Sequence, residues 1–156
     1  MVIVIRNAIK TDLDKVGDFC VGMLLYHEKF DSEYKPSKTA KEKYISHLSE
    51  SLSDKKKILL VAELDNNLIG FAFAKIDKKP PVLDVVNYGV ISDVYVDEKC
   101  RGKGVSQLLV SKLFDWFKTN GISDIEISVH TQNSLANIVW EKYGFKPYMT
   151  KFRLKL

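Results

Sequence analysis

Residues 93–106 read Asp93-Val94-Tyr95-Val96-Asp97-Glu98-Lys99-Cys100-Arg101-Gly102-Lys103-Gly104-Val105-Ser106. An apolar strand runs straight into a tight, basic, glycine-bearing turn, and the turn opens an amphipathic helix. Glycine lets the backbone come close to a ligand, and a new helix offers unpaired N–H groups at the positive end of its dipole. Arg101 and Lys103 add full charges beside those donors. Such a corner suits a phosphate-rich group.

Downstream of the corner, from Val105, the residues Leu108, Leu109, Lys112, Leu113, Trp116 and Phe117 mark a helix whose buried side is nearly all large and apolar, ended by Gly121. Ile125 to His130 alternates with period two and reads as a strand. Asn133 to Lys142 is a short helix stopped by Gly144, and Pro147 to Leu156 is extended, with Phe152, Leu154 and Leu156 on one face. Upstream, Tyr88 to Val96 is the strand that feeds the corner. Asp77 to Asn87, with Pro80 and Pro81, is a loop that cannot continue a central strand. Ile58–Leu64 and Leu68–Ile76, joined by Asp65-Asn66-Asn67, predict a hairpin.

Nearer the start, a strand over Val2 to Arg6 leads to Thr11, which with Asp14 predicts a helix start and an apolar stripe through Leu13, Val16, Phe19, Cys20, Met23 and Leu24. Thr39 with Glu42 predicts a second, shorter helix carrying Tyr44, Ile45, Leu48 and Leu52 inward. Lys55-Lys56-Lys57 reads as its solvated end. Strand-then-helix alternation around a hairpin gives one mixed-sheet α/β domain spanning residues 1–156.

Composition narrows the function classes. The 156 residues are 46% apolar and 28% charged, values of a globular protein with a sizeable core. No apolar run reaches the ~18–20 residues of a membrane span, and the opening Met1 to Ile5 is too short for a signal-peptide core. A cytoplasmic protein is therefore expected, without a membrane partner. The net charge of +4 suits an anionic ligand, and no lysine/arginine stripe interleaved with aromatics points to nucleic acid. Cys20 and Cys100 are far apart, so no disulfide framework or metal centre is expected.

The glycine turn does not fit the two best-known phosphate loops. A Walker loop needs Gly-x-x-x-x-Gly-Lys-Ser/Thr, and a dinucleotide fingerprint needs a glycine where Gln107 stands. What remains is an Arg-x-x-Gly-x-small turn, met by Arg101, Gly104 and Ser106. Asp93 to Ser106 with Leu108-Leu109 resembles the acyl-CoA-binding motif of the GNAT superfamily of N-acyltransferases. Asn133, Ala136 and Trp140-Glu141-Lys142-Tyr143-Gly144-Phe145 are similar to its second signature, Ile5-Arg6-Asn7-Ala8 with Asp12 to its first strand and helix start, and Asp65 to Phe71 to its hairpin. The four matches fall in the right order and cover most of the chain.

The resemblance implies a single-domain GNAT-like mixed sheet flanked by helices, with a splayed pair of parallel strands as the cofactor cleft. It implies an acyl-CoA-dependent N-acetyltransferase that moves acetyl from acetyl-CoA to a primary amine in a ternary complex. The acceptor would be a small amine such as a polyamine, or a peptide or protein N-terminus. The pantetheine arm would pair with the backbone of Val94, Tyr95 and Val96, and an N–H near Val96 would stabilise the oxyanion. The diphosphate would rest on Gly102, Lys103, Gly104, Val105, Ser106 and Gln107, beside Arg101.

Asn133 either touches pantetheine or caps its helix, and Lys142 either meets a cofactor phosphate or is solvated. The family's usual tyrosine acid is here Trp140, which cannot supply a proton near neutral pH. Tyr143 is the candidate acid in its place, with Tyr148, water, or an unprotonated leaving thiolate as alternatives. Asp93 is the candidate base, with His130 a second. Glu28, Asp31 and Glu33 either attract a cationic acceptor or form a solvated helix end. Because of Trp140, a CoA-binding sensor or interaction module without turnover is the alternative, and a homodimer stays open.

Overall fold

A computed structural model describes residues 2–156; Met1 lies outside the described residues. Asp65 and Asn66 both have positive φ, 50° and 61°, the two-residue hairpin geometry that matches strand twist and that short polar side chains tolerate. The turn joins β2 (Lys57–Leu64) to β3 (Asn67–Lys78). Antiparallel neighbours extend the pair on both sides, β1 (Ile3–Asn7) beside β2 and β4 (Asn87–Val96) beside β3. β5 (Ile125–Ile127) then runs parallel to β4, giving the order β1-β2-β3-β4-β5.

Both faces of this sheet are covered, which is why β2 and β3 read as nearly continuous apolar runs. On one face lie α1 (Leu13–Glu28) and α2 (Ala40–Ser51). Val16, Phe19 and Cys20 of α1 pack there on Leu59, Val61, Phe71 and Phe73. On the other face, α3 (Val105–Thr119) sets Leu109, Leu113 and Phe117 against Leu60, Ala72, Ala74 and Ile91. The short alanines of β3 face α3, and the phenylalanines between them face α1. α4 (Ser134–Lys142) joins the α3 layer through Trp140, which meets the Phe145 ring edge-on. Cys20 is fully buried, and burial pushes its thiol up, whereas Cys100 is partly exposed.

Several boundaries differ from the sequence reading. Asp12, not the Thr11–Asp14 pair, fixes the start of α1. Its carboxylate accepts the Ile9 N–H at 2.8 Å and both Arg6 guanidinium nitrogens at 2.7 and 3.0 Å, and Arg6 also bonds Glu63. This pairing holds the Asp12 carboxyl below its usual range. The Thr39 side chain caps nothing. Asp77, Lys78 and Asn87 belong to the β3–β4 ladder rather than to the loop. α2 ends at Ser51, so Lys55 and Lys56 form a turn and Lys57 opens β2. β5 stops at Ile127, and residues 147–156 form no strand. No helix among the described residues is long and apolar enough to cross a membrane.

Candidate active site

The ladder between β3 and β4 slips by one residue. Phe73 faces Asp93 while Ala74 faces Ile91, so Ser92 is the extra residue of a β-bulge. A bulge bends and twists its strand, and here the bend parts β4 from β5. Their parallel pairing covers only Gly89–Ile91 against Ile125–Ile127. From Val94 to Val96, β4 has β3 on one edge and a gap on the other. The Asp97 N–H donates to Ile69 on the β3 side at 2.8 Å. Successive N–H groups of a strand point to opposite edges, so those of Val96 and Val94 face the gap.

The turn after β4 is rigid at its start and open at its end. Asp97 accepts the Lys99 N–H at 3.0 Å, and Gly102 and Gly104 have φ of 74° and 77°, where a side chain is strained. Neither glycine has a heavy atom within 4 Å of the place a Cβ would occupy. Among the described residues, no N–H from Gly102 to Gln107 has a hydrogen-bond partner. Six successive donors at the positive end of a 15-residue helix form a cradle for an anion.

Arg101 does not point out of this cradle. Its Nε donates to the Val96 carbonyl at 3.0 Å, and its guanidinium lies over the Tyr26 and Tyr95 rings at 5.7 and 5.8 Å. Its contribution is to tie the turn to β4 and to the end of α1. Ser106 stands in the first turn of α3, with its hydroxyl 3.2 Å from that of Tyr143. The Tyr143 hydroxyl is thus held at the cradle. Trp140 stacks edge-on against Tyr143 at 5.5 Å. The Asn133 side chain caps α4, accepting the Ala136 N–H at 3.1 Å, and Lys142 is exposed.

On the opposite face of β4, Asp93 is half-buried against the α1–α2 layer with no hydrogen-bond partner among the described residues, near Tyr44 and Cys20. Desolvation raises its carboxyl to about 6. Tyr44 also lines a cavity of about 450 Å³ with Leu24, Glu33, Tyr34 and His47. The end of α1 spans the gap. Tyr26 supports Arg101 at the β4 side, while Phe30 stacks on His130 just beyond β5 at 6.0 Å. The His130 Nδ1 accepts the Gln132 N–H at 3.1 Å, and its Nε2 faces Asp31 at 3.8 Å. Asp31 is also bonded by Arg153 at 2.8 Å.

The fold therefore brings Val94 to Val96 and Gly102 to Gln107 around one gap, with Tyr143 at the cradle and Asp93 on the far face. Asn133 and Lys142 are placed on α4 as a cap and as a surface residue. Three participants escaped the sequence reading: the Ser92 bulge, the Tyr26 support of Arg101, and the Asp31–His130 contact. Asp31 carried a signal as an acid after a helix, but its partners come from residues 99 and 122 positions away, beyond the reach of local patterns.

A pair of parallel strands that part beside a glycine-bearing anion cradle is the cleft that the resemblance to the GNAT superfamily implies. Residues 23–145 match the family model described as the acetyltransferase (GNAT) family, and the chain belongs to that family. It is an acyl-CoA-dependent N-acyltransferase with acetyl-CoA as co-substrate. Among characterised relatives it is similar to the spermidine N(1)-acetyltransferase of Thermoplasma acidophilum, 27% identical over 122 residues, which are 78% of this chain and 71% of that protein. Two solved structures share the fold. The PaiA N-acetyltransferase of Thermoplasma acidophilum in complex with coenzyme A has a TM-score of 0.81 at 23% identity, covering 97% of this chain and 94% of that one. A predicted acetyltransferase of Clostridium acetobutylicum with acetyl-CoA has a TM-score of 0.78 at 19% identity, covering 99% and 96%.

Proposed function

We propose that the chain, acting as one catalytic domain over residues 1–156, transfers acetyl from acetyl-CoA to a primary amine by direct attack, in the cytoplasm. The run of six free N–H groups beside the β4–β5 gap carries this reading. Gly102 to Gln107 hold the diphosphate, and the gap-facing backbone of Val94 to Val96 pairs with the pantetheine arm. The Val96 or Val94 N–H meets the thioester oxygen as charge develops there, a contact that commonly contributes ~3 kcal/mol. Asn133 and Lys142 border the arm and the phosphates from α4.

The acceptor amine enters from the α1–α2 face, where a cavity of about 450 Å³ with Glu33, Tyr34 and Tyr44 on its walls suits a small cationic amine such as a polyamine. Asp93 takes the proton of the attacking ammonium, directly or through one water, so that a neutral amine reaches the thioester carbon. The departing sulfur leaves as a thiolate or takes its proton from water, because the Tyr143 hydroxyl bonds Ser106 at the diphosphate cradle, the far end of the pantetheine arm. The similarity to a spermidine acetyltransferase supports the small-amine acceptor over a peptide N-terminus.

Coenzyme A release from acetyl-CoA, followed with a panel of polyamines, amino acids and short peptides, tests this. Acceptor-dependent release with at least one amine is expected, fastest with the polyamines. Calorimetric binding of coenzyme A with no release for any amine would identify a binding module instead. Release only with peptides would move the acceptor to the second class.

A further inference from the structure

The Val96 carbonyl and the Asp97 N–H belong to one planar peptide and point opposite ways. The N–H goes to Ile69 of β3 at 2.8 Å, so the carbonyl faces the gap between β4 and β5. That carbonyl is already occupied, because the Arg101 Nε donates to it at 3.0 Å. The N–H and C=O of one strand residue share an edge. A ligand in the gap therefore meets both groups of Val94 but only the N–H of Val96. Two rings hold Arg101 in this position, with its guanidinium 5.7 Å from the centroid of Tyr26 and 5.8 Å from that of Tyr95. Glu98, at 3.7 Å, is largely exposed and adds little. Both rings are themselves braced by α1. Tyr95 packs on Phe19 at 5.3 Å, and a Cβ at Gly22 would lie 3.3 Å from its hydroxyl. Tyr26 stands one turn beyond Gly22 on the same side of the helix. Phe30 meets the Tyr26 ring edge-on at 5.3 Å and stacks on His130 beyond β5.

Resting on the cofactor placement proposed for Gly102 to Gln107 and the β4 edge, we infer that Tyr26 is a positioning residue for the coenzyme. It acts through Arg101 to keep the Val96 carbonyl covered, and so fixes which backbone groups of β4 the pantetheine arm can pair with. With that carbonyl covered, Val96 offers the gap a donor alone, and the arm's amides find one register. Without the Tyr26 ring, the long Arg101 side chain regains rotamer freedom and leaves the carbonyl for part of the time. The edge then presents a second arrangement of donors and acceptors that competes with the first. The cradle does not share this dependence, because its N–H groups belong to the turn and to the first residues of α3.

Titration calorimetry with two ligands tests this: coenzyme A, and its adenosine nucleotide half, which carries the diphosphate but lacks the arm. Tyr26→Leu should weaken coenzyme A about three- to tenfold, the range of a partly exposed cation–π contact, and the nucleotide half by less than about twofold. Tyr26→Phe keeps the ring and should bind both ligands as the wild type does. Arg101→Met keeps the apolar stem but removes the donor and the charge. Adding Tyr26→Leu to it should weaken coenzyme A no further, since Tyr26 acts only through Arg101. Equal weakening of the two ligands by Tyr26→Leu overturns the inference. So does full additivity of the two substitutions, or a Tyr26→Leu protein that binds coenzyme A as tightly as the wild type. A wild type that binds neither ligand overturns the cradle and this inference together, whereas one that binds both leaves the cradle standing whatever the variants do. None of these readouts depends on catalysis.

Discussion

Asp93 is the costliest residue of the site. A carboxylate with an ordinary value of 3.8 is held at about 6 in the fold by desolvation. The folded state therefore disfavours the ionised form. Stability is unaffected below pH 4, falls as pH rises from 4 to 6, and stays lower by about 3 kcal/mol at most above that, taking ~1.4 kcal/mol per unit. Asp93→Asn removes the penalty. Urea unfolding should find this variant about 1–3 kcal/mol more stable than wild type at pH 7.5 and no more stable at pH 4. Its kcat/KM should drop by about 10²–10⁴, and the acid limb of the wild-type pH profile, with its midpoint near 6, should vanish. Unchanged activity at pH 7.5 would remove Asp93 from the chemistry. The sequence placed this residue at the cleft because it precedes Val94-Tyr95-Val96. Its burial was not legible, because Tyr44 and Cys20 arrive from two helices that no local pattern places over β4.

At the scale of elements, β4 does most to define the site, and its two halves answer to different neighbours. Its first half is clamped between β3 and β5 and pressed by α3: a Cβ added at Gly89 would lie 2.4 Å from the Phe117 ring, which is itself fully buried. Gly89→Ala should lower the midpoint of denaturant unfolding by the equivalent of about 1–3 kcal/mol, the usual effect of overpacking a core. A loss under 0.5 kcal/mol would mean that the ring yields at little cost. The second half, past Ser92, has no pairing with β5. The hairpin, α3 and the cradle turn were legible because each is written in adjacent residues. The bulge was not, since Tyr88 to Val96 reads as one strand and the slip exists only relative to β3. Residues 147–156 show the converse: their two-sided pattern was legible, yet they form no strand.

The whole molecule is a sheet with two separate apolar layers, one under α1 and α2 and one under α3 and α4. The nearly continuous apolar runs of β2 and β3 fit a sheet covered on both faces. Which layer would hold the cavity of about 450 Å³ depended on the packing of α1 against α2, which involves contacts distant in sequence. The two thiols lie in contrasting places within this arrangement: Cys20 is sealed between α1 and the sheet, and Cys100 is partly open at the turn after β4. A colorimetric disulfide reagent added to the native protein should thus consume about one equivalent promptly, the second reacting only as fast as the layer opens. The protein carries its own clock for breathing of the interior, and any thiol-detecting assay of coenzyme release on it must start from a baseline one sulfhydryl high.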